Sequence, residues 1–297
     1  MSSDNLVGRT VAGYNLAEYI GEGGTATVYR AEHPERGRAA VKILRPRLAQ
    51  DPIAVKRFLR EAEYGARVKH PNIVQTYDYG ATDGLHYLAL EWAQGEPLAE
   101  FINRSGKLAP PLVATIVEQL GAALSSAHKA GIIHRDLKPA NIMYDPATQT
   151  AKLLDFGIAR DAELSPEERL TRAGFFVGTL QYVAPETLSG ELVSEQADVY
   201  SLATIAYYML SQELPFTGKS PRELFQQLLT QAPVPLNQAV KGLRFPGPIE
   251  SAVMRGLERD LAKRFKTVDE FAGEFCTAVR QGGGKRGFLS SLFGKSE

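Results

Sequence analysis

Two stretches of the chain concentrate groups able to handle a metal-bound phosphate. His134-Arg135-Asp136-Leu137-Lys138-Pro139-Ala140-Asn141 is followed, fourteen positions after Asn141, by Asp155-Phe156-Gly157. Asp136, Asn141 and Asp155 together offer one candidate base and two oxygen ligands. Hard cations such as Mg²⁺ take oxygen ligands while keeping contact with substrate phosphates. The plain alternative is two polar turns with capping side chains, but so many fixed positions seldom coincide by chance. Earlier in the chain, Gly21-Glu22-Gly23-Gly24-Thr25-Ala26-Thr27-Val28 would let backbone N–H groups approach an anion. Alone it could equally be a tight hairpin, and no Lys-Ser/Thr follows to make a Walker loop. Lys42 interrupts the apolar run Ala39 to Leu44 and needs an anionic partner if buried. Glu61 can supply one, with a solvated pair to Arg57 as the alternative.

The elements around these residues change character along the chain. Tyr14 to Leu44 favours strands, and Ile73-Val74 and Leu85 to Leu90 read as two more, joined by an Asp83-Gly84 turn. Between them Asp51 to Val68 reads as a helix capped by Asp51 with Pro52 in its first turn. Val55, Phe58, Leu59, Ala62 and Ala66 share its apolar face. Beyond Gln94-Gly95-Glu96-Pro97 the pattern turns helical: Pro110 to Ala130 and Ser194 to Leu210 are apolar enough to be buried, and shorter helices are expected at 220–230, 248–258 and 267–280. The stretch from Ala159 to Gly178 has no clear period, and a loop of that length inside a domain is usually functional or disordered. Gln281-Gly282-Gly283-Gly284 reads as a flexible linker to a basic tail.

Composition excludes several classes. Of 297 residues, 44% are hydrophobic and 23% charged, which fits neither a collagen-like nor a wholly disordered chain. Lys+Arg and Asp+Glu number 34 each, so net charge gives no case for nucleic-acid binding. The single cysteine, Cys276, favours a reducing compartment and a cytoplasmic location. The start MSSDNLVGRT has no secretory pattern, and no run of about 18 apolar residues predicts a transmembrane helix.

In this order and at this spacing, the motifs resemble the protein kinases. Gly21 and Gly23 match the glycine-rich loop and Ala39-Ala40-Val41-Lys42 the strand that carries the family lysine. Asp136 and Asn141 match the catalytic loop, Asp155-Phe156-Gly157 the metal-binding triplet, and Ala184-Pro185-Glu186 the close of the activation segment. Lys138 and Gly178-Thr179 resemble the serine/threonine branch, and the wording of the motifs the eukaryotic-like bacterial kinases. The resemblance covers about 14–277 and implies an α+β, bilobal fold: a β-rich N-lobe over 14–93 with one main helix, an α-rich C-lobe over 94–277, and a flexible Gly-rich basic tail over 278–297. Ala26 departs from the family pattern by replacing the third loop glycine.

The resemblance implies ATP and Mg²⁺ as cofactors and protein Ser/Thr hydroxyls as acceptors. Backbone N–H groups from Gly21 to Val28 would cover the phosphates, namely those of Gly21, Glu22, Gly23, Gly24, Thr25, Ala26, Thr27 and Val28. Lys42 would pair with them, held by Glu61. Ile20, Val28, Ala40 and Met143 would enclose adenine, with backbone groups of Glu91 and Ala93 bonded to it and Leu90 as gatekeeper. Asn141 and Asp155 would hold the metal; Asp136, Lys138 and Lys42 would be catalytic. Arg135 would receive a phosphate on Thr171, in preference to Ser165 or Thr179, through autophosphorylation for which a homodimer is one route. Asp198 would brace the catalytic loop, and Glu186 would pair with Arg264. Ala140 replaces a glutamate of arginine-directed kinases, so a basic substrate preference is not implied. The rival readings are a pseudokinase scaffold, disfavoured because Lys42, Asp136, Asn141 and Asp155 are all present, and a small-molecule phosphotransferase, which usually lacks Ala184-Pro185-Glu186.

Overall fold

The computed structural model describes residues 6–154, 180–189 and 193–283. Asp155, Phe156, Gly157, Ser165, Thr171 and Thr179, and the tail from 284, lie outside the described residues. The first part is a sheet in the order β1-β2-β3-β4-β6-β5. It comprises β1 (Thr10–Val11), β2 (Tyr14–Glu22), β3 (Ala26–His33), β4 (Gly37–Leu44), β5 (Thr76–Thr82) and β6 (Leu85–Glu91). Between β4 and β5 come α1 (Pro46–Ala49) and α2 (Pro52–Arg67). As expected, Asp51 caps α2 by accepting the Ile53 amide at 2.9 Å, and Pro52 opens it.

Alternation along the strands sorts side chains onto two faces. Tyr87 and Ala89 of β6 join Tyr14, Tyr29, Val41 and Ile43 in one cluster. Leu88 and Leu90 turn the other way and pack with Leu44 against Phe58 and Ala62 of α2. Lys42 is two residues from Leu44, and therefore faces α2 with them.

One strand assignment needs correction. Ile73-Val74 is not part of the sheet: Val74 N–H donates to Leu153 O at 2.8 Å, Leu153 N–H to Asn72 O at 2.9 Å, and Ile73 bridges Leu153 in parallel. These residues are apolar because the junction of the two lobes buries them. The strand that pairs with β6 is β5, whose sequence TYDYGAT is more polar because it forms the edge of the sheet. The expected turn is present, with Asp83 and Gly84 at φ +49° and +76°.

The second part contains β7 (Glu96–Pro97), α3 (Leu98–Ser105), α4 (Pro110–Lys129), a 3-10 turn over Pro139–Asn141, β8 (Ile142–Asp145) and β9 (Thr150–Leu153). It continues with α5 (Pro185–Ser189), α6 (Gln196–Ser211), α7 (Pro221–Thr230), α8 (Leu236–Ala239), α9 (Gly247–Gly256) and α10 (Val268–Gly283). Strands β7, β8 and β9 form a small sheet at the lobe junction. Gly95 enters it at φ +95°, and a Cβ there would overlap the Tyr144 carbonyl, so no side chain fits. Helix α6 is the centre of this lobe: Val199, Leu202, Ala203, Thr204, Ile205, Ala206, Tyr207 and Met209 are all fully buried.

The end of α10 is a second correction. The expected tail from 278 and linker at 281–284 are helical through Gly283, and Ala278 and Val279 are buried. Glycine permits a bend but does not impose one. At Gly282 an added Cβ would lie 3.0 Å from Pro246 Cγ, so the missing side chain lets the helix end lie against the start of α9.

Candidate active site

The segment between α4 and β8 holds most of the polar residues singled out in the sequence. Its backbone is shaped by an unusual residue: Arg135 has φ +63°, left-handed space that a side chain with a Cβ occupies only under constraint. Asp198, in the first turn of α6, supplies that constraint. Its Oδ1 accepts the Arg135 amide at 3.0 Å and its Oδ2 the His134 amide at 2.8 Å. Complete burial would by itself raise the Asp198 carboxyl, but the His128 hydrogen bond, the positive potential of His134 and His128, and the His134 amide outweigh it and hold the group below the usual carboxylate range.

The next residues converge on one carboxylate. Asp136 Oδ2 accepts Lys138 Nζ at 3.0 Å and Asn141 Nδ2 at 3.0 Å, while Oδ1 lies 3.4 Å from Lys138 Nζ. Asn141 Nδ2 also donates to the Asp136 carbonyl at 2.9 Å. Its amide nitrogen is therefore committed to Asp136, and its Oδ1 accepts no side-chain hydrogen bond among the described residues. The 3-10 turn over Pro139–Asn141 produces this closeness, since it brings Asn141 back over Asp136. An amide oxygen suits a hard cation, so this residue fits Mg²⁺. Among the described residues no three His, Cys, Asp or Glu side chains form a metal-binding group, and Asp155 lies outside them.

In the first part of the fold, β2 and β3 approach at the glycine-rich turn. Gly23 N–H closes it on Ala26 O at 2.8 Å. Added Cβ atoms at Gly21 and Gly24 would meet nothing within 4 Å, so the loop borders open space. The turn is held from outside: Arg45 pairs with Glu22, and Arg47 Nη2 donates to Gly24 O at 3.3 Å. Val28 lies opposite Lys42 in the β3–β4 register, so both project from the same face. Lys42 Nζ is 3.9 Å from Glu61 Oε1, at the outer limit of an ion pair.

The remaining expected contacts are accounted for by packing. Ile20, Val28 and Met143 belong to none of the three hydrophobic clusters, and Ile20 is 48% exposed, whereas Ala40 and Ala93 pack against the α2 side of the sheet. Three apolar side chains that join no core suit a flat apolar ligand. Glu91 commits its amide to Gln75 O at 2.8 Å and its carboxylate to Lys152 and the Gln75 amide. Thr25 and Thr27 lie in or beside the turn. Arg135 Nε is buried without a hydrogen-bond partner among the described residues. Glu186 and Arg264 form the expected buried pair, bidentate at 2.6 and 3.1 Å.

Sequence reasoning did not find His128, the outer arginines or the Lys152–Glu91 pair. His128 leaves one trace: it is four residues after Leu124, a polar side chain on the buried stripe of α4.

Comparison with known proteins agrees with this geometry. The family profile "Protein kinase domain" matches residues 14–266. Serine/threonine-protein kinase pkn3 of Myxococcus xanthus is 37% identical over 279 residues, covering 92% of this chain and 51% of that protein. Serine/threonine-protein kinase PknB of Mycobacterium leprae is 36% identical over 266 residues, covering 88% and 42%. The chain thus spans about half the length, or less, of these curated relatives. The crystal structure of the Mycobacterium tuberculosis PknI kinase domain is similar in fold, with a TM-score of 0.70 at 29% identity, covering 91% of this chain and 98% of that one.

Proposed function

The chain belongs to the protein kinase family, and from that premise we propose that it is a serine/threonine protein kinase, transferring the γ-phosphate of ATP to protein hydroxyls. The observation that carries this reading is the Asp136 carboxylate, whose Oδ2 accepts Lys138 and Asn141 while Oδ1 lies 3.4 Å from Lys138 Nζ. Phosphoryl transfer asks a protein chiefly for positioning and charge neutralisation. Asp136 orients the acceptor hydroxyl and takes its proton as the new O–P bond forms and the bond to the leaving ADP breaks. Lys138, 3.0 Å from Asp136 Oδ2, is close enough to offset charge on the group in transit. Lys42, steadied by Glu61, pairs with the phosphates, and the N–H groups of residues 21–28 cover them. Ile20, Val28, Ala40 and Met143 enclose the adenine, with the Glu91 carbonyl and the Ala93 backbone at its edge. Asn141 and Asp155 would hold Mg²⁺, which when bound would neutralise phosphate charge.

Further parts of the reading concern regulation and setting. The Nε of Arg135, buried without a hydrogen-bond partner among the described residues, supports a phosphate on Thr171 as its counter-ion, placed there by autophosphorylation between two copies. The Lys138 residue type and the named relatives favour Ser and Thr over Tyr. No helix among the described residues is long and apolar enough to cross a membrane; a cytoplasmic location is proposed from the single cysteine and the use of ATP.

The test is a radiolabelled ATP assay of the purified chain with Mg²⁺, on a generic protein substrate and on a panel of small metabolites. Label on protein serine and threonine is expected. Label on metabolites alone would overturn the reading in favour of a small-molecule phosphotransferase, and no label anywhere would overturn it in favour of a scaffold.

A further inference from the structure

The glycine-rich turn is gripped by a corner of the chain that lies outside the motifs matched above. Three consecutive carbonyls of the turn meet donors from residues 45 and 47. Thr25 O accepts the Arg45 amide at 3.0 Å, Gly23 O accepts Arg45 Nη1 at 3.4 Å, and Gly24 O accepts Arg47 Nη2 at 3.3 Å. The other arm of the Arg45 fork, Nη2, pairs with Glu22 Oε1. The corner is itself anchored. The Arg45 carbonyl accepts the amides of Leu48 at 2.8 Å and Ala49 at 3.2 Å, and Leu48 and Ala49 pack in one cluster with Val55, Phe58 and Leu59 of α2. A trans peptide is planar, so a carbonyl and the N–H that follows it point opposite ways. Holding the carbonyls of Gly23, Gly24 and Thr25 therefore sets the N–H groups of Gly24, Thr25 and Ala26, each turned away from the arginine donor behind it. Gly24 and Thr25 give those N–H groups to no backbone carbonyl among the described residues. Two adjacent glycines would otherwise leave the direction of these groups unset, because glycine enters most of backbone space.

We propose that Arg45 and Arg47 are positioning residues for the nucleotide phosphates: by holding the carbonyls of Gly23, Gly24 and Thr25 they aim the N–H groups of residues 24–26 at the anion. They act through the backbone. The guanidinium groups bond carbonyls and Glu22, and the N–H groups beyond those carbonyls meet the phosphates, as successive N–H groups do in an anion-binding concavity. Arg45 matters as a fork, one arm on Gly23 O and one on Glu22, a two-point grip that a lysine ammonium does not reproduce. The adenine end is spared, because Ile20, Val28, Ala40 and Met143 lie outside residues 22–26.

The inference rests on the ATP reading of the cleft, and the experiment keeps the two apart. Calorimetry measures the affinities of the purified chain for Mg²⁺-ATP, ADP and adenosine in wild type, Arg45→Ala, Arg47→Ala, the double alanine variant and Arg45→Lys. Adenosine carries no phosphate and reports the apolar cleft alone. Arg45→Ala should weaken ATP and ADP about threefold to tenfold, the range for one net hydrogen bond, and the double variant should weaken them further. Adenosine should stay within about twofold in every variant. Arg45→Lys keeps the charge and loses the fork, so it should fall with Arg45→Ala. In hydrogen exchange without nucleotide, the Gly23 amide, bonded to Ala26 O at 2.8 Å, and the Arg45 amide should exchange faster in the alanine variants than in wild type. Should Arg45→Ala fail to fold, Arg45→Lys and Arg47→Ala decide. Unchanged ATP affinity in the double variant would overturn the proposal. So would an equal loss for adenosine, which marks a general disturbance of the lobe, and so would a lysine as good as arginine, which marks the field of the charge rather than the grip. A wild type that binds no nucleotide would contradict the ATP reading, and the exchange arm would still decide whether these arginines set the turn.

Discussion

A carboxylate withdrawn from water, as Asp198 is, persists only because donors surround it. That arrangement has a pH signature. Its folded pKa lies below the ordinary value, so the stability it contributes is fully present above the unfolded value and is lost as pH falls through the folded one. Urea melts of wild type and Asp198→Asn should therefore differ most at neutral pH, and the gap should narrow as pH drops below about 3.9. A gap that widened in acid would contradict the charge assignment. At this scale the site divides sharply into what could and could not be read from the chain. Asp136, Lys138 and Asn141 are near in sequence, and the 3-10 turn that joins them is short, so their residue types announce their geometry. His128 and Asp198 are 70 positions apart, and nothing local to either says that a hydrogen bond links them.

Elements were legible where one periodicity dominated. The apolar face of α2 predicted the burial of Phe58 and Ala62, but Ala66 of that face is exposed and Gly65 is buried instead, and the pattern left open whether Glu61 meets Lys42 or Arg57. Legibility failed where an apolar pair served a lobe junction, at Ile73-Val74, and where a glycine marked close packing, at Gly282. Gly121 shows the same use of glycine inside α4: a Cβ there would sit 2.9 Å from Ala272 Cβ on α10. These two helices share a long contact that supports the lower face of the lobe, so Gly121→Val should destabilise the chain by about 1–3 kcal/mol through overpacking. Thermal melts check the loss, and Ala272→Gly in the same chain should restore part of it because the two positions touch. An unchanged melting temperature in the single variant would mean that α4 and α10 lie further apart than described.

At the scale of the whole molecule, the two lobes are joined by specific links, among them Val68 and Ile73, which pack into the core of the helical lobe. Val74 and Leu153 exchange backbone contacts across the junction, Lys152 pairs with Glu91, and Gly95 allows the chain to pass against β8. In the proposed reading the cleft between them takes the glycine-rich turn and Lys42 from one lobe and Asp136 and Asn141 from the other. No single element contains a working site, which is why domain order was readable from composition while the junction was not. The central claim is that this cleft transfers phosphate to protein hydroxyls, with Lys42 and Asp136 acting from opposite lobes. Neither side chain fills a core, so Lys42→Met and Asp136→Asn should melt close to wild type. The most direct measurement is the incorporation of γ-phosphate from Mg²⁺-ATP into protein serine and threonine by wild type and these two variants, with phosphoamino-acid analysis of the product. The expected result is phosphoserine and phosphothreonine from wild type and loss of about 99% or more of the rate in each folded variant, as befits groups acting on the reacting atoms. Wild-type rates in either folded variant would contradict the account.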